Sequence, residues 1–208
     1  MTDVLTFGET MAVLRAVEPG PLRLAGSLRL GVAGAESTVA IGLARLGHAA
    51  RWVGRVGDDE FGRLVLDRLR AETVDITHAS TDDAPTGLLV REQRTADLAR
   101  VRYYRTGSAG SRLSVGDLVP ALADGARLLL LSGITPALST SALAATRAAV
   151  ARGRVGLGGV PRRQLPGHVV VASRRSGHAA AAGVVGDGRR GGCGRACPGW
   201  RRCRVAAR

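Results

Sequence analysis

GAESTVAIGLARLG at residues 34–47, followed by HAARWVGRVGDDEFG at residues 48–62, decides how this chain folds. In the first part Val39, Leu43 and Leu46 recur at the spacing of a helix face, and Gly47 is a C-terminal stop. Ala50 to Val56 then reads as a strand. Asp58, Asp59 and Glu60 open a second helix with negative charge, where the helix dipole favours it. Phe61, Leu64, Val65 and Leu69 give that helix an apolar face. Ahead of this stretch, Val4 to Glu9 is a short apolar run broken at Gly8, as in a buried first strand. Strand, helix, strand, helix in succession implies parallel pairing with right-handed crossovers.

On either side the rhythm changes. Pro19-Gly20-Pro21 marks a turn, and Leu22, Leu24, Leu28 and Leu30 alternate with polar or small residues, as in half-buried strands. Thr86 to Glu92 and Leu98 to Tyr104 are β-prone runs around a polar connection, which predicts a hairpin-like insertion. Arg127 to Ser132 (RLLLLS) has the near-continuous apolar character of a central parallel strand, and Ser139 to Val150 follows as a helix. The fold class is therefore α/β: a Rossmann-like sheet carrying an extra β-flap.

Composition divides the 208 residues near Arg152. Residues 1–151 hold 17 Arg and 16 acids, a net of +1; residues 152–208 hold 13 Arg and one acid, Asp187, a net of +12. All three cysteines lie in the second part, and the chain has no Lys. A sequence pI near 11.5 would ordinarily suggest a nucleic-acid partner, but the tail alone supplies the charge. That tail has one aromatic residue, Trp200, so it lacks interleaved stacking groups, and no specific nucleic-acid partner is expected. Cys193, Cys197 and Cys203 do not have the close pairing of a structural zinc site. Low apolar content and high charge predict disorder for 152–208. No basic-then-apolar leader and no apolar run of membrane-spanning length occur, so the expectation is a soluble cytoplasmic protein.

Three segments carry candidate chemistry. Val32 to Ser37 is a small-residue turn feeding a helix, either a tight connection or a place where backbone N–H groups approach a ligand. Gly54 to Gly62 combines glycines with acids that also suit a helix cap. Arg102 to Ser111 ends a strand in two rings and an Arg. Alternation puts Tyr103 and Arg105 on one face and Tyr104 on the other. This is either a solvated strand end with ordinary aromatic packing or a clamp in which the guanidinium fork beside a phenol meets the carboxylate of a polyol.

In this order these segments resemble the N-terminal part of the PfkB (ribokinase-like) carbohydrate kinases, and most of all the 2-keto-3-deoxygluconate kinases. Thr6 to Thr10, Gly34-Ala35-Glu36, Ala44 to Gly47, Thr86-Gly87-Leu88 and Leu131 to Ser139 add to the likeness, which runs from residue 3 to about 150. The resemblance implies a ribokinase-type sandwich with a β-lid over the sugar site. It implies substrate contacts at Gly34, Ala35 and Glu36, with Tyr103 and Arg105 holding the hydroxyls and carboxylate. It further implies a small-molecule sugar or sugar acid as partner, and pairing of lids between subunits as a route to a homo-oligomer. Two positions depart from the pattern: Ser37 stands where Asn is usual, and Leu89 where these kinases often have Tyr.

The same resemblance places ATP, Mg²⁺ and a catalytic Asp, in a Gly-Ala-Gly-Asp motif, in a C-terminal half. That motif is absent from these 208 residues, so no catalytic, cofactor-binding or metal-binding residue is assigned. After the last helix the family has a strand close to Ser-Leu-Asp-Val-Asn-Tyr-Arg. This chain has Val160 to Pro166 (VPRRQLP), which can be encoded GTC CCT CGA CGT CAA CTA CCG. Read one base later, the same letters give TCC CTC GAC GTC AAC TAC CG, the family strand. The expectation is a kinase truncated and inactivated by out-of-frame translation from about residue 153. Its alternatives are a non-catalytic sugar-binding or dimerisation module and a basic nucleic-acid-binding protein. A sheet cut short in this way should leave the edge of Arg127–Ser132 unpaired.

Overall fold

The computed structural model describes residues 1–95, 97–155, 168–175 and 178–185. β1 (Thr2–Phe7), β4 (Ala50–Val53), β9 (Ala126–Ser132) and β10 (His168–Arg175) form a parallel sheet, and β11 (His178–Val185) adds antiparallel to it. The spatial order is β11-β10-β9-β1-β4, so β1 and β9 lie inside it. The strong apolar alternation of these strands sends neighbouring side chains to opposite faces. Leu5, Phe7, Val53, Leu129 and Leu131 pack on one side with Leu118 and Leu122 of α3 (Val115–Asp124) and Ala145 and Ala149 of α4 (Thr140–Val155). Ala50 and Trp52 pack on the other with Ala40 of α1 (Ala35–Arg45) and Val65 and Leu69 of α2 (Glu60–Ala71). Helices thus cover both faces, the expected three-layer α/β sandwich.

The predicted flap is a second sheet, β3 (Leu28–Ala33), β2 (Met11–Ala16), β7 (Leu88–Gln93) and β8 (Ala99–Tyr104), in that order. β7 and β8 pair antiparallel, as the sequence predicts, and β2 bridges them to β3. The lid is rooted in the body because β2 begins four residues after β1 ends. A small third sheet joins β5 (Arg55–Gly57) to β6 (Ser80–Asp82).

Four expectations change. Val39 and Leu46 are 38% and 76% exposed, while Ser37 and Ala40 are buried; Leu43 of the expected face, with Ile41 and Ala44, packs against the Trp52 cluster. Small residues let α1 lie close to the sheet, so its inward arc is not its most apolar one. The single strand Ala50–Val56 breaks at Gly54, where a side-chain carbon would come within 2.2 Å of the Trp52 ring and 2.6 Å of the Gly8 carbonyl. The chain bends there and β5 leaves the main sheet. Leu22–Leu24 forms a short 3₁₀ turn after Pro21 instead of a strand. Finally, the edge of β9 is paired, through the register His168↔Leu128 to Ala172↔Ser132. The stretches 168–175 and 178–185 fall within the segment for which the sequence predicts disorder. Val169 to Val171 supply the β-branched run that such pairing favours. The remaining tail, with its three cysteines, lies outside the described residues.

Candidate functional site

In an open α/β sheet, ligands gather outside the carboxyl ends of the strands. Here the ends of β1 and β9 meet the N-terminus of α1 and the loop that leaves the lid, and two buried acids organise the junction. Glu36, in the first turn of α1, is 2% exposed and accepts from the Ser132 hydroxyl at 2.5 Å, the Ser132 N–H at 3.3 Å and the Thr135 hydroxyl at 3.0 Å. It ties α1 to the loop after β9. Glu9, two residues beyond the end of β1, is 4% exposed. One of its carboxylate oxygens accepts from the Ser108 hydroxyl, and the other is ion-paired with the Arg105 guanidinium.

The backbone is fitted closely around Glu9. A side-chain carbon at Gly110 would come within 2.3 Å of Glu9 Cγ, and one at Gly87 within 2.6 Å of Glu9 Oε1. At Gly34 it would lie 2.5 Å from Ser37 Oγ and 2.8 Å from the Glu9 carbonyl. Gly34 has ordinary extended backbone (φ −165°), so its requirement is for space. It also supplies no side chain to cap α1.

Glu9 therefore joins two segments that the sequence reading treated separately: its main chain touches Gly34 and its side chain holds Arg105. The Arg105 guanidinium carbon lies 5.7 Å from the centre of the Tyr103 ring, so these two side chains share a face of the strand end. Tyr103 is 55% exposed and pairs across the lid with Leu89. Ala35 is exposed beside Gly34, whereas Glu36 is turned inward to Ser132 and Thr135. Gly34, Tyr103 and Arg105 are thus linked through Glu9, and Glu36 is linked to the same loop floor through Gly8. A carbon added at Gly8 would lie 2.7 Å from Glu36 Cδ.

Gly54 to Gly62 does different work. Asp59 caps α2 by accepting from the Gly62 N–H at 2.7 Å, and it also accepts from the Thr86 N–H and hydroxyl, both at 2.8 Å. Burial acts to raise the Asp59 pKa, but these donors together pull it below the ordinary carboxylate value. The segment fastens the start of β7, and so the lid, to the body. Glu9, Ser108 and Thr135 were missed as organising groups. The signal available for them was a lone acid between apolar runs and a Gly/Ser loop of low bulk.

A β-lid rooted at the carboxyl ends of a parallel, helix-covered sheet is the arrangement of the ribokinase-type carbohydrate kinases. A PfkB protein from Polaromonas sp. JS666 superimposes with a TM-score of 0.71 at 41% identity, covering 74% of this chain and 53% of that one. A ribokinase II from E. coli, solved with ATP and Mg²⁺, shares the fold at a TM-score of 0.69 and 21% identity, covering 83% of this chain and 52% of its own. Residues 1–162 match the pfkB family of carbohydrate kinases, and the chain belongs to that family. It is 42% identical over 139 residues to the 2-dehydro-3-deoxygluconokinase of Bacillus subtilis, covering 66% of this chain and 43% of that enzyme. The chain thus spans less than half the length of this relative. Among the described residues no helix is long and apolar enough to cross a membrane.

Proposed function

We propose that this chain is the sugar-binding part of a cytoplasmic kinase for a keto-deoxy sugar acid, with 2-keto-3-deoxygluconate the leading substrate. Gly34 and Ala35 offer backbone groups to the sugar hydroxyls, and Glu36 keeps that turn in place. Tyr103 and Arg105 take the remaining hydroxyls and the carboxylate. The observation that carries this reading is the placement of Arg105: it lies over Tyr103 and is fixed by Glu9, whose main chain abuts Gly34. A pre-fixed guanidinium loses little freedom when it binds a carboxylate.

The reaction of the complete kinases is phosphoryl transfer from ATP–Mg²⁺ to a sugar hydroxyl. The Gly-Ala-Gly-Asp motif, which the resemblance gives to the catalytic base, is missing from the sequence. The shift from +1 to +12 in net charge at Arg152, and codons for Val160 to Pro166 that would encode the family strand one base later, support a reading-frame change near residue 153. The 208-residue chain then binds the sugar acid without phosphorylating it. The exposed lid side chains Leu28, Leu30 and Tyr104 are the surface through which two copies would associate.

Titration calorimetry of the full chain should show 2-keto-3-deoxygluconate binding that Arg105→Gln removes, while a coupled ADP assay stays at background. Turnover of ATP would overturn the loss of transfer, and binding indifferent to Arg105 would overturn the site. Reading the gene one base forward should reveal the Gly-Ala-Gly-Asp motif; its absence would remove the frame change.

A further inference from the structure

The face of the lid that carries Tyr103 bears a row of like charges. Residues directly opposite on neighbouring strands share one face. The register pairs Arg15 with Arg29 on one side and with Arg91 on the other, so three arginines run across β3, β2 and β7. The next row on that face is Gly31, Val13, Leu89 and Tyr103. Both rows line a cavity of about 590 Å³, and Leu64 and Arg68 of α2 line it as well.

Among the described residues no acid lines this cavity. Arg68 is paired with Glu72 at 3.1 Å, but Arg15, Arg29 and Arg91 have no carboxylate partner among the described residues. Arg91 Nε is buried with no acceptor. Like charges set directly across strands destabilise a sheet, and a buried guanidinium N–H without an acceptor adds to that cost. An anion seated on the row relieves both at once. Neighbouring strands lie about 4.8 Å apart, so the row extends over about 10 Å.

We propose that this cleft selects a sugar acid carrying a second anionic group, either an aldaric-type dicarboxylate or a phosphorylated aldonic acid. The proposal rests on the sugar-acid reading above; where that reading puts the monocarboxylate 2-keto-3-deoxygluconate first, it ranks a dianionic sugar acid higher. Arg105 takes one anionic end beside Tyr103. The carbon chain lies along Tyr103, Leu89 and Val13, and the Arg15–Arg29–Arg91 row takes the other end.

The test is titration calorimetry of the full chain at low salt with glucarate, 6-phosphogluconate and gluconate. At least one dianion should bind about tenfold or more tightly than gluconate, as one charge-assisted contact confers. Which of the two does so identifies the second group. The double variant Arg15→Gln, Arg91→Gln should bring that ratio close to one. Arg15 is exposed, so Arg15→Gln alone provides the same reading, with a smaller loss, if the double variant does not fold. Dianion preference that survives the substitutions, or equal binding of all three acids, overturns the proposal. Gluconate binding with no dianion preference would overturn this inference and spare the sugar-acid reading. Dianion binding through the row, indifferent to Arg105→Gln, would do the reverse.

Discussion

Removing the Glu9 carboxylate tests whether one residue holds the lid loop to the body. Glu9→Ala deletes the acceptor of the Ser108 hydroxyl, which sits in a residue 2% exposed, and the partner of Arg105. A buried donor left without an acceptor costs about 1–3 kcal/mol. Breaking a fully buried ion pair costs about 3–5 kcal/mol, but the Arg105 side chain is 22% exposed and can rehydrate, so about 1 kcal/mol is the part expected here. The sum is about 2–4 kcal/mol. At about 2–4 °C per kcal/mol for a domain of this size, the melting temperature should fall by about 5–15 °C. Urea unfolding followed by far-ultraviolet circular dichroism gives the free energy directly. A double-mutant cycle with Arg105→Ala should return a coupling of about 1 kcal/mol. A Glu9→Ala loss below about 0.5 kcal/mol, or a coupling indistinguishable from zero, would refute the role given to this contact.

Gly62→Ala and Gly42→Ala form a matched pair in two helices. The first places a carbon 2.1 Å from the Gly57 carbonyl and should destabilise by about 2 kcal/mol despite its helix propensity, whereas the second meets open space and should stabilise by about 0.5–1 kcal/mol in the same urea assay. Thr135→Val removes a hydroxyl donor from buried Glu36 and should cost about 1–2 kcal/mol, measured likewise. The Asp82 pKa is lowered from 3.8 to about 2, first by the Ala84 N–H and then by Arg55, against a contrary effect of burial. Its folded-state pKa lies below the unfolded one, so its stabilisation is complete above about pH 4 and drains away as pH falls toward 2. Melting temperatures between pH 2 and 6 should show that acid limb flattened in Asp82→Asn.

The parallel body was legible because its strands are apolar runs and its second helix has an acidic first turn followed by a regular stripe. The lid was legible as a hairpin for the same reason. α1 misled because tight packing against a sheet selects Ala40 and Ser37 over Val39 and Leu46, and size is invisible to an apolar count. α3 went unread although Ser114 and Asp117 form a capping box, because Pro120 and Gly116 obscure its period. In the candidate site, alternation placed Tyr103 and Arg105 together correctly. The inward turn of Glu36 and the central position of Glu9 depend on contacts across 96 and 99 residues of separation, which no local spacing encodes.

The strand pairing beyond β9 changes where intermolecular sticking would begin. With His168–Arg175 laid along the leucine-rich Arg127–Ser132, the outermost strand on that side becomes His178–Val185, among the described residues. Its centre is alanine and glycine, HAAAAGVV, residue types depleted in strands, and it carries no charge or proline to turn a foreign strand away. The leucine ribbon of β9 is thereby kept from acting as a seed, and the exposed edge passes to β11.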